Sequence, residues 1–175
     1  KSTLGIFGSK PEHLHFDPRF HYLRLVVAGE AVYLVRGNVD RGTEIWYSAD
    51  GEVLRIRDGR VAGIMGTPVE WRSVALPEFP SWKVLEKDKV YKWERRRDVM
   101  PDYRYGVVDE LTLHAIAPRE GSDLRDIDPE KLAWFEETSG RLPRAFYAVD
   151  IKRGEVVYAE TCISRSFCFS WQRLK

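Results

Sequence analysis

The run from Glu44 to Gly66, EIWYSADGEVLRIRDGRVAGIMG, alternates apolar and polar residues in short bursts separated by Asp-Gly steps. In Val53-Leu54-Arg55-Ile56-Arg57, Leu54 and Ile56 fall on one face and the other three residues on the opposite face. That is the pattern of a half-buried strand. Ala49-Asp50-Gly51 and Asp58-Gly59 interrupt the alternation, and glycine supplies the positive φ that primed hairpin turns need. The run therefore predicts strands over 45–47, 53–57 and 60–62 joined by two tight turns.

The same pattern extends along the chain. It predicts strands over 20–27 and 31–36 around a turn at Ala28-Gly29-Glu30, and a loop over 37–42. A strand follows over 89–97, with Tyr91 and Trp93 on one face and Lys92, Glu94 and Arg96 on the other. A turn at Met100-Pro101-Asp102 precedes a strand over 110–116. A hairpin over 143–149 and 155–160 turns at Lys152-Arg153-Gly154, and the tail 167–174 adds a last strand. Pro68, Pro77 and Pro80 make 67–82 an extended loop crossing an edge, because proline cannot donate to a ladder. One short helix is predicted over 128–139, with Asp128 as cap, Pro129 in the first position, Gly140 at the exit, and Leu132 and Phe135 on one face. Residues 1–19, interrupted by Gly5, Gly8, Pro11 and Pro18, read as an N-terminal arm. The expectation is an all-β antiparallel meander forming a barrel or a sandwich, in a single domain spanning 1–175.

Composition agrees with a folded chain: 43% hydrophobic and 13% aromatic over 175 residues. Lys and Arg number 28 against 27 Asp and Glu, a net charge of +1. That balance removes any global field for gathering nucleic acid or anionic membrane. No run approaches the ~20 apolar residues of a membrane-spanning helix. The chain starts at Lys1 without an initiator Met, so a trimmed or mature form is expected.

Candidate chemistry is sparse. The nucleophile elbow, phosphate-binding loop, dinucleotide fingerprint and paired-histidine zinc motif are all missing from the sequence. The expectation is a non-enzymatic protein with no catalytic residue, no cofactor and no metal. The alternative is a glycan-acting enzyme using a carboxylate pair from Glu136, Glu137 or Asp102, although capping and a solvated face account for these acids and for Asp123, Asp126 and Asp128. His13, His15 and His21 lie near one another without a completing ligand, and His114 reads as a strand residue. Residues Lys87 to Arg97, KDKVYKWERRR, interleave basic and aromatic side chains, which suggests single-stranded nucleic acid. Aromatics inward with Lys and Arg outward explains the same pattern. Cys162 and Cys168 would lie about 20 Å apart on one continuous strand. A turn at Ser164-Arg165-Ser166 makes a disulfide geometrically feasible. Two buried thiols are the alternative, since two cysteines without CxxC spacing do not complete a zinc site.

WYSADGEVLRIRDGRVAGIMG, through Trp46, Ser48, Asp50, Gly51, Leu54, Gly59, Arg60, Val61 and Gly66, resembles the signature of the YjbF/GfcB-type lipoproteins of group 4 capsule and exopolysaccharide operons. VYLVRGNVDRGTEIW ahead of it and the closing FYAVDIKRGEVVYAETCISRSFCFSWQRLK are similar to flanking parts of that family, although Ala159-Glu160-Thr161 replaces its Ser-x-Gln. The resemblance implies a β meander closed toward a barrel and a lipid anchor on a cysteine upstream of Lys1, the chain's one link to a membrane. It implies a periplasmic site at the outer membrane and a role in polysaccharide secretion or assembly. The implied partners are polysaccharide or envelope secretion proteins, with no nucleic acid and no catalytic residues. Trp46, Arg60, Trp71 and Trp93 are the candidate contact residues, because aromatics and Arg dominate contact energetics. Core packing is the competing role for each tryptophan.

Overall fold

Two-residue turns set the first half of the molecule. Ala28-Gly29, Arg41-Gly42 and Asp58-Gly59 each carry two consecutive positive φ values, from 49° to 83°. Turns of this hand match the twist of the strands they join. In the computed structural model, which describes residues 16–174, the strands are β1 (Tyr22–Val27), β2 (Glu30–Asp40), β3 (Thr43–Tyr47), β4 (Val53–Arg57), β5 (Arg60–Met65) and β6 (Glu70–Ala75). After a 14-residue crossing come β7 (Val90–Met100), β8 (Arg104–Ile116), β9 (Ala133–Thr138), β10 (Ala145–Asp150), β11 (Glu155–Ser164) and β12 (Phe167–Arg173). Each strand pairs antiparallel with its sequence neighbours, and β12 returns to β1 from Leu23↔Arg173 to Val26↔Ser170. The meander closes as a barrel.

Antiparallel order gives the barrel two distinct rims. The upper rim carries the turns at 41–42, 58–59 and 151–154 and both long connections, 76–89 and 117–132. Short turns make up the lower rim. Twelve strands enclose more space than the eight whose side chains just fill a barrel. Large residues occupy it: Trp46, Trp71, Trp171, Tyr147, Phe135, Phe167 and Phe169 are buried in one core, and the 76–89 connection inserts Trp82. Trp134, Ala148 and Tyr158 face the other way and form a small outer cluster with Leu124 and Leu132 of the 117–132 strap. The strap is tied down by Gln172, which accepts from Arg125 N–H at 2.9 Å and donates to Arg125 C=O at 2.7 Å.

Four expectations are corrected. No helix runs over 128–139. Asp128 does accept the Glu130 N–H and Pro129 follows it, but the cap closes only a 3₁₀ turn, Pro129–Lys131. Ala133–Thr138 then becomes β9, because it must fill the gap between β8 and β10 to complete the wall. The 67–82 loop contains β6, which fits between Pro68 and Pro77 and bulges at Ser73 (φ 49°). The strand also continues into 37–42, with β2 reaching Asp40 and pairing again at Val39 and Asp40 after a bulge, before the Arg41-Gly42 turn. Lys92, Glu94 and Arg96 are exposed as expected. Arg95 and Arg97, in the register of Tyr91 and Trp93, are buried and bonded to Asp109, so the rule of Lys and Arg outward does not hold for every basic residue of this strand. Most of the 1–19 arm, including His13 and His15, lies outside the described residues.

Gly59 shows how tightly the upper rim is set. A Cβ there would lie 2.2 Å from Val156 Cγ2, at a φ of +78°. Gly59→Ala should cost about 2 to 4 kcal/mol, joining left-handed strain to overpacking. Gly29→Ala, at φ +80° with nothing within 4 Å, isolates the strain. Urea midpoints of the two variants should differ, and equal midpoints would show that the contact with Val156 contributes nothing.

Candidate functional site

A cleft of about 740 Å³ opens at the upper rim. Alternation explains its polar lining. Inward positions run Val32, Leu34, Arg36 on β2, then Glu44, Trp46 on β3, and Phe169, Trp171, Arg173 on β12, so each apolar row ends in a charge at the rim. Arg173 grips Glu44 with two parallel hydrogen bonds of 2.6 and 2.7 Å, and its Nε donates to Val156 C=O at 2.8 Å. Glu155 lies 3.2 Å from the same Nε. The guanidinium sits 5.5 Å from the ring centre of Trp171 and 6.0 Å from that of Trp46. Arg36 approaches Glu44 only to 3.8 Å, too long for a hydrogen bond. Trp46 lines the cleft while only 1% exposed, and its indole N–H has no partner among the described residues.

Below the 76–89 connection lies a second polar group. Arg60, 4% exposed, places its guanidinium 3.8 Å from the Phe79 ring, 4.5 Å from Trp82, 4.8 Å from Trp93 and 5.6 Å from Tyr147. Its countercharge is Glu137, 3.5 Å away. Glu137 accepts from Tyr147 Oη at 3.1 Å and from Trp93 Nε1 at 3.3 Å. Burial pushes the Tyr147 hydroxyl well above the usual phenol range, and the Glu137 charge adds to it. Tyr147 therefore stays a neutral donor. Farther along β7, Arg95 and Arg97 flank the Trp71 ring at 4.5 and 4.7 Å.

The four candidate contact residues are thus split. Trp46 lines the cleft, Arg60 and Trp93 belong to the aromatic box, and Trp71 is buried with its N–H donated to Ile163 C=O at 2.9 Å. The signature residues serve turns and interior: Ser48 accepts the Glu52 N–H at 3.0 Å and donates to the Glu52 carboxylate, and Gly66 packs on Glu52 at φ +84°. Glu136 and Glu137 are neighbours on β9 and point to opposite sides of the wall, Glu136 toward His114 and Arg144. Asp102 sits in the β7–β8 turn, more than nine strand residues from Leu113, the partner of Glu137, or roughly 30 Å. These three carboxylates do not converge. Cys162 and Cys168 are paired across β11 and β12 and joined by a disulfide at the lower rim. Among the described residues no three His, Cys, Asp or Glu side chains gather as metal ligands.

Sequence reasoning missed Arg36, Glu44 and Arg173. Their signal was a charge falling in the inward register of an otherwise apolar strand face, visible once the closing pairs are known.

No protein-family model matches the chain, and no curated protein matches it. Among solved structures it is similar to the crystal structure of the hypothetical lipoprotein YmcC from Escherichia coli (K12), with a TM-score of 0.66 and 16% identity over 89% of this chain and 84% of that one. At that identity the likeness shows a shared fold, a closed antiparallel barrel.

Proposed function

We propose that this barrel is the globular domain of an envelope lipoprotein that assists capsule or exopolysaccharide secretion by binding glycan at its upper rim, without catalysing a reaction. One observation carries the reading: a cleft of about 740 Å³ with a tryptophan in its floor and charged side chains of both signs around it. That volume suits a few sugar rings. Mixed donors and acceptors suit a polyhydroxylated ligand, and an indole gives contact area at low entropic cost. The fold shared with a hypothetical lipoprotein supports the envelope assignment, as does the resemblance of Trp46 to Gly66. The lipid anchor and the periplasmic, outer-membrane location belong to the same proposal.

The test has two arms. Purified protein is titrated with the polysaccharides exported by its host, and surface glycan is measured after deletion of the gene. Binding together with altered surface glycan is expected. No binding to any exported polysaccharide or secretion partner, with surface glycan unchanged, overturns the proposal.

A further inference from the structure

Hydrogen-bond accounting at the upper rim leaves donors over. Glu44 has both oxygens occupied by Arg173, and the Asp150 carboxylate accepts backbone N–H groups of Lys152 and Arg153. Glu155 faces Arg173. Among the described residues the Arg36 guanidinium makes no hydrogen bond, and its nearest countercharge is Glu44 at 3.8 Å. The Trp46 indole N–H is buried and unpartnered. A buried donor left unpaired is costly, so this one marks a place where an acceptor belongs.

The two free donors are neighbours. Arg36 and Trp46 are directly opposite in the β2–β3 register, on the inward face, and both line the cleft. Side chains opposite one another in an antiparallel pair start about 5 Å apart. One planar group with two acceptor oxygens entering the cleft therefore meets the guanidinium directly and reaches the indole N–H, buried here, once the Trp46 ring turns toward it. A carboxylate fits: the guanidinium presents paired N–H donors in a plane, and charge-assisted bonds of this kind are the strong ones. Around it, Asp58 and Glu155 offer acceptors suited to hydroxyl groups.

Resting on the glycan reading above, we infer that the cleft takes an acidic saccharide, holding a uronate carboxylate between the Arg36 guanidinium and the Trp46 indole N–H. Arg173 is the positioning residue. Its grip on Glu44 keeps that carboxylate from capturing Arg36.

The test uses the full chain with an oligogalacturonate, the same oligomer fully methyl-esterified, and inorganic phosphate. The six tryptophans are followed by their indole ¹H–¹⁵N resonances, with Trp46→Phe assigning the Trp46 peak. The expected result is a saturable shift of the Trp46 peak with the acid. Binding of the methyl ester should be at least about tenfold weaker, as should binding of the acid to Arg36→Gln, since a charge-assisted hydrogen bond is worth roughly a factor of ten or more. Arg36→Gln should keep the parent melting temperature, because Arg173 still holds Glu44. Equal binding of acid and ester overturns the acidic assignment and leaves the glycan reading standing. An equal response to phosphate overturns the saccharide part, reducing the cleft to a general anion site. No response to either oligomer overturns the inference, and the polysaccharide panel then decides the broader reading separately. The acid–ester comparison on unaltered protein does not depend on any variant folding.

Discussion

Asp109→Asn is expected to destabilise the barrel by about 3 to 5 kcal/mol, the cost of removing one partner from a buried ion pair. Asp109 is fully buried. Its Oδ2 accepts from Arg95 Nε at 2.9 Å and Arg97 Nε at 2.6 Å, and Oδ1 accepts from Arg97 Nη2 at 3.0 Å. One carboxylate thus bridges two guanidiniums lodged against Trp71 and offsets one of their two charges. Asparagine keeps the shape but leaves two buried cations facing each other. The loss should appear as a lower urea midpoint with an unchanged slope, which separates stability from altered compactness.

The same site predicts a pH dependence of definite sign. Burial alone would raise the Asp109 carboxyl, but the hydrogen bonds and charges of Arg97 and Arg95 outweigh it and hold the group below the usual carboxylate range. A depressed folded-state pKa adds stability that is fully present above the unfolded value, about 3.9, and is lost as pH falls through the folded one. The gap between parent and Asp109→Asn should therefore be full at neutral pH and shrink in acid. A gap constant from neutral pH into the acid range would mean that shape, and not charge, accounts for the loss.

What could be read in the sequence follows from how local its cause was. The 44–66 hairpins were legible because turn chemistry and alternation agree within five or six residues, and the structure places both Asp-Gly turns there. Trp134-Phe135 was misread because a true cap at Asp128 precedes it. Only closure of the wall, a pairing with β8 and β10 from distant sequence, makes it a strand. The inward placing of Arg95 and Arg97 went unread, although they share the register of Tyr91 and Trp93, because their shared counter-ion, Asp109, lies across a hairpin. Trp46 was named from its residue type. Its neighbour Arg36 was not, because their pairing becomes visible only with the bulged β2–β3 register.

Glu137→Gln should cost about 3 to 5 kcal/mol, and the size of the loss decides what stabilises Arg60. Four rings surround that guanidinium, and its Nε and Nη2 make no hydrogen bond among the described residues. A cation over an aromatic face gains about 0.5 to 2 kcal/mol, so the box could in principle hold the charge alone. Against this stands the desolvation of an ion, several kcal/mol even after relaxation. The rings do not offset that without Glu137, whose carboxylate also receives Tyr147 and Trp93. The amide in Glu137→Gln keeps a single acceptor oxygen, so of the bonds from Tyr147 and Trp93, which go to different carboxylate oxygens, only one survives. Its cost reports the lost charge together with one lost hydrogen bond. Removing both charges in Arg60→Met with Glu137→Leu should restore most of the stability, as buried pairs replaced by apolar groups of similar size commonly do. A cost below about 1 kcal/mol for Glu137→Gln, within the range of a single cation–π contact, would instead make the aromatic box the main support of Arg60. The 76–89 connection that contributes Phe79 and Trp82 would then be its principal counterpart. The expected larger loss makes that connection a cover over an ion pair, with its aromatic side chains excluding water from a charge that β9 neutralises.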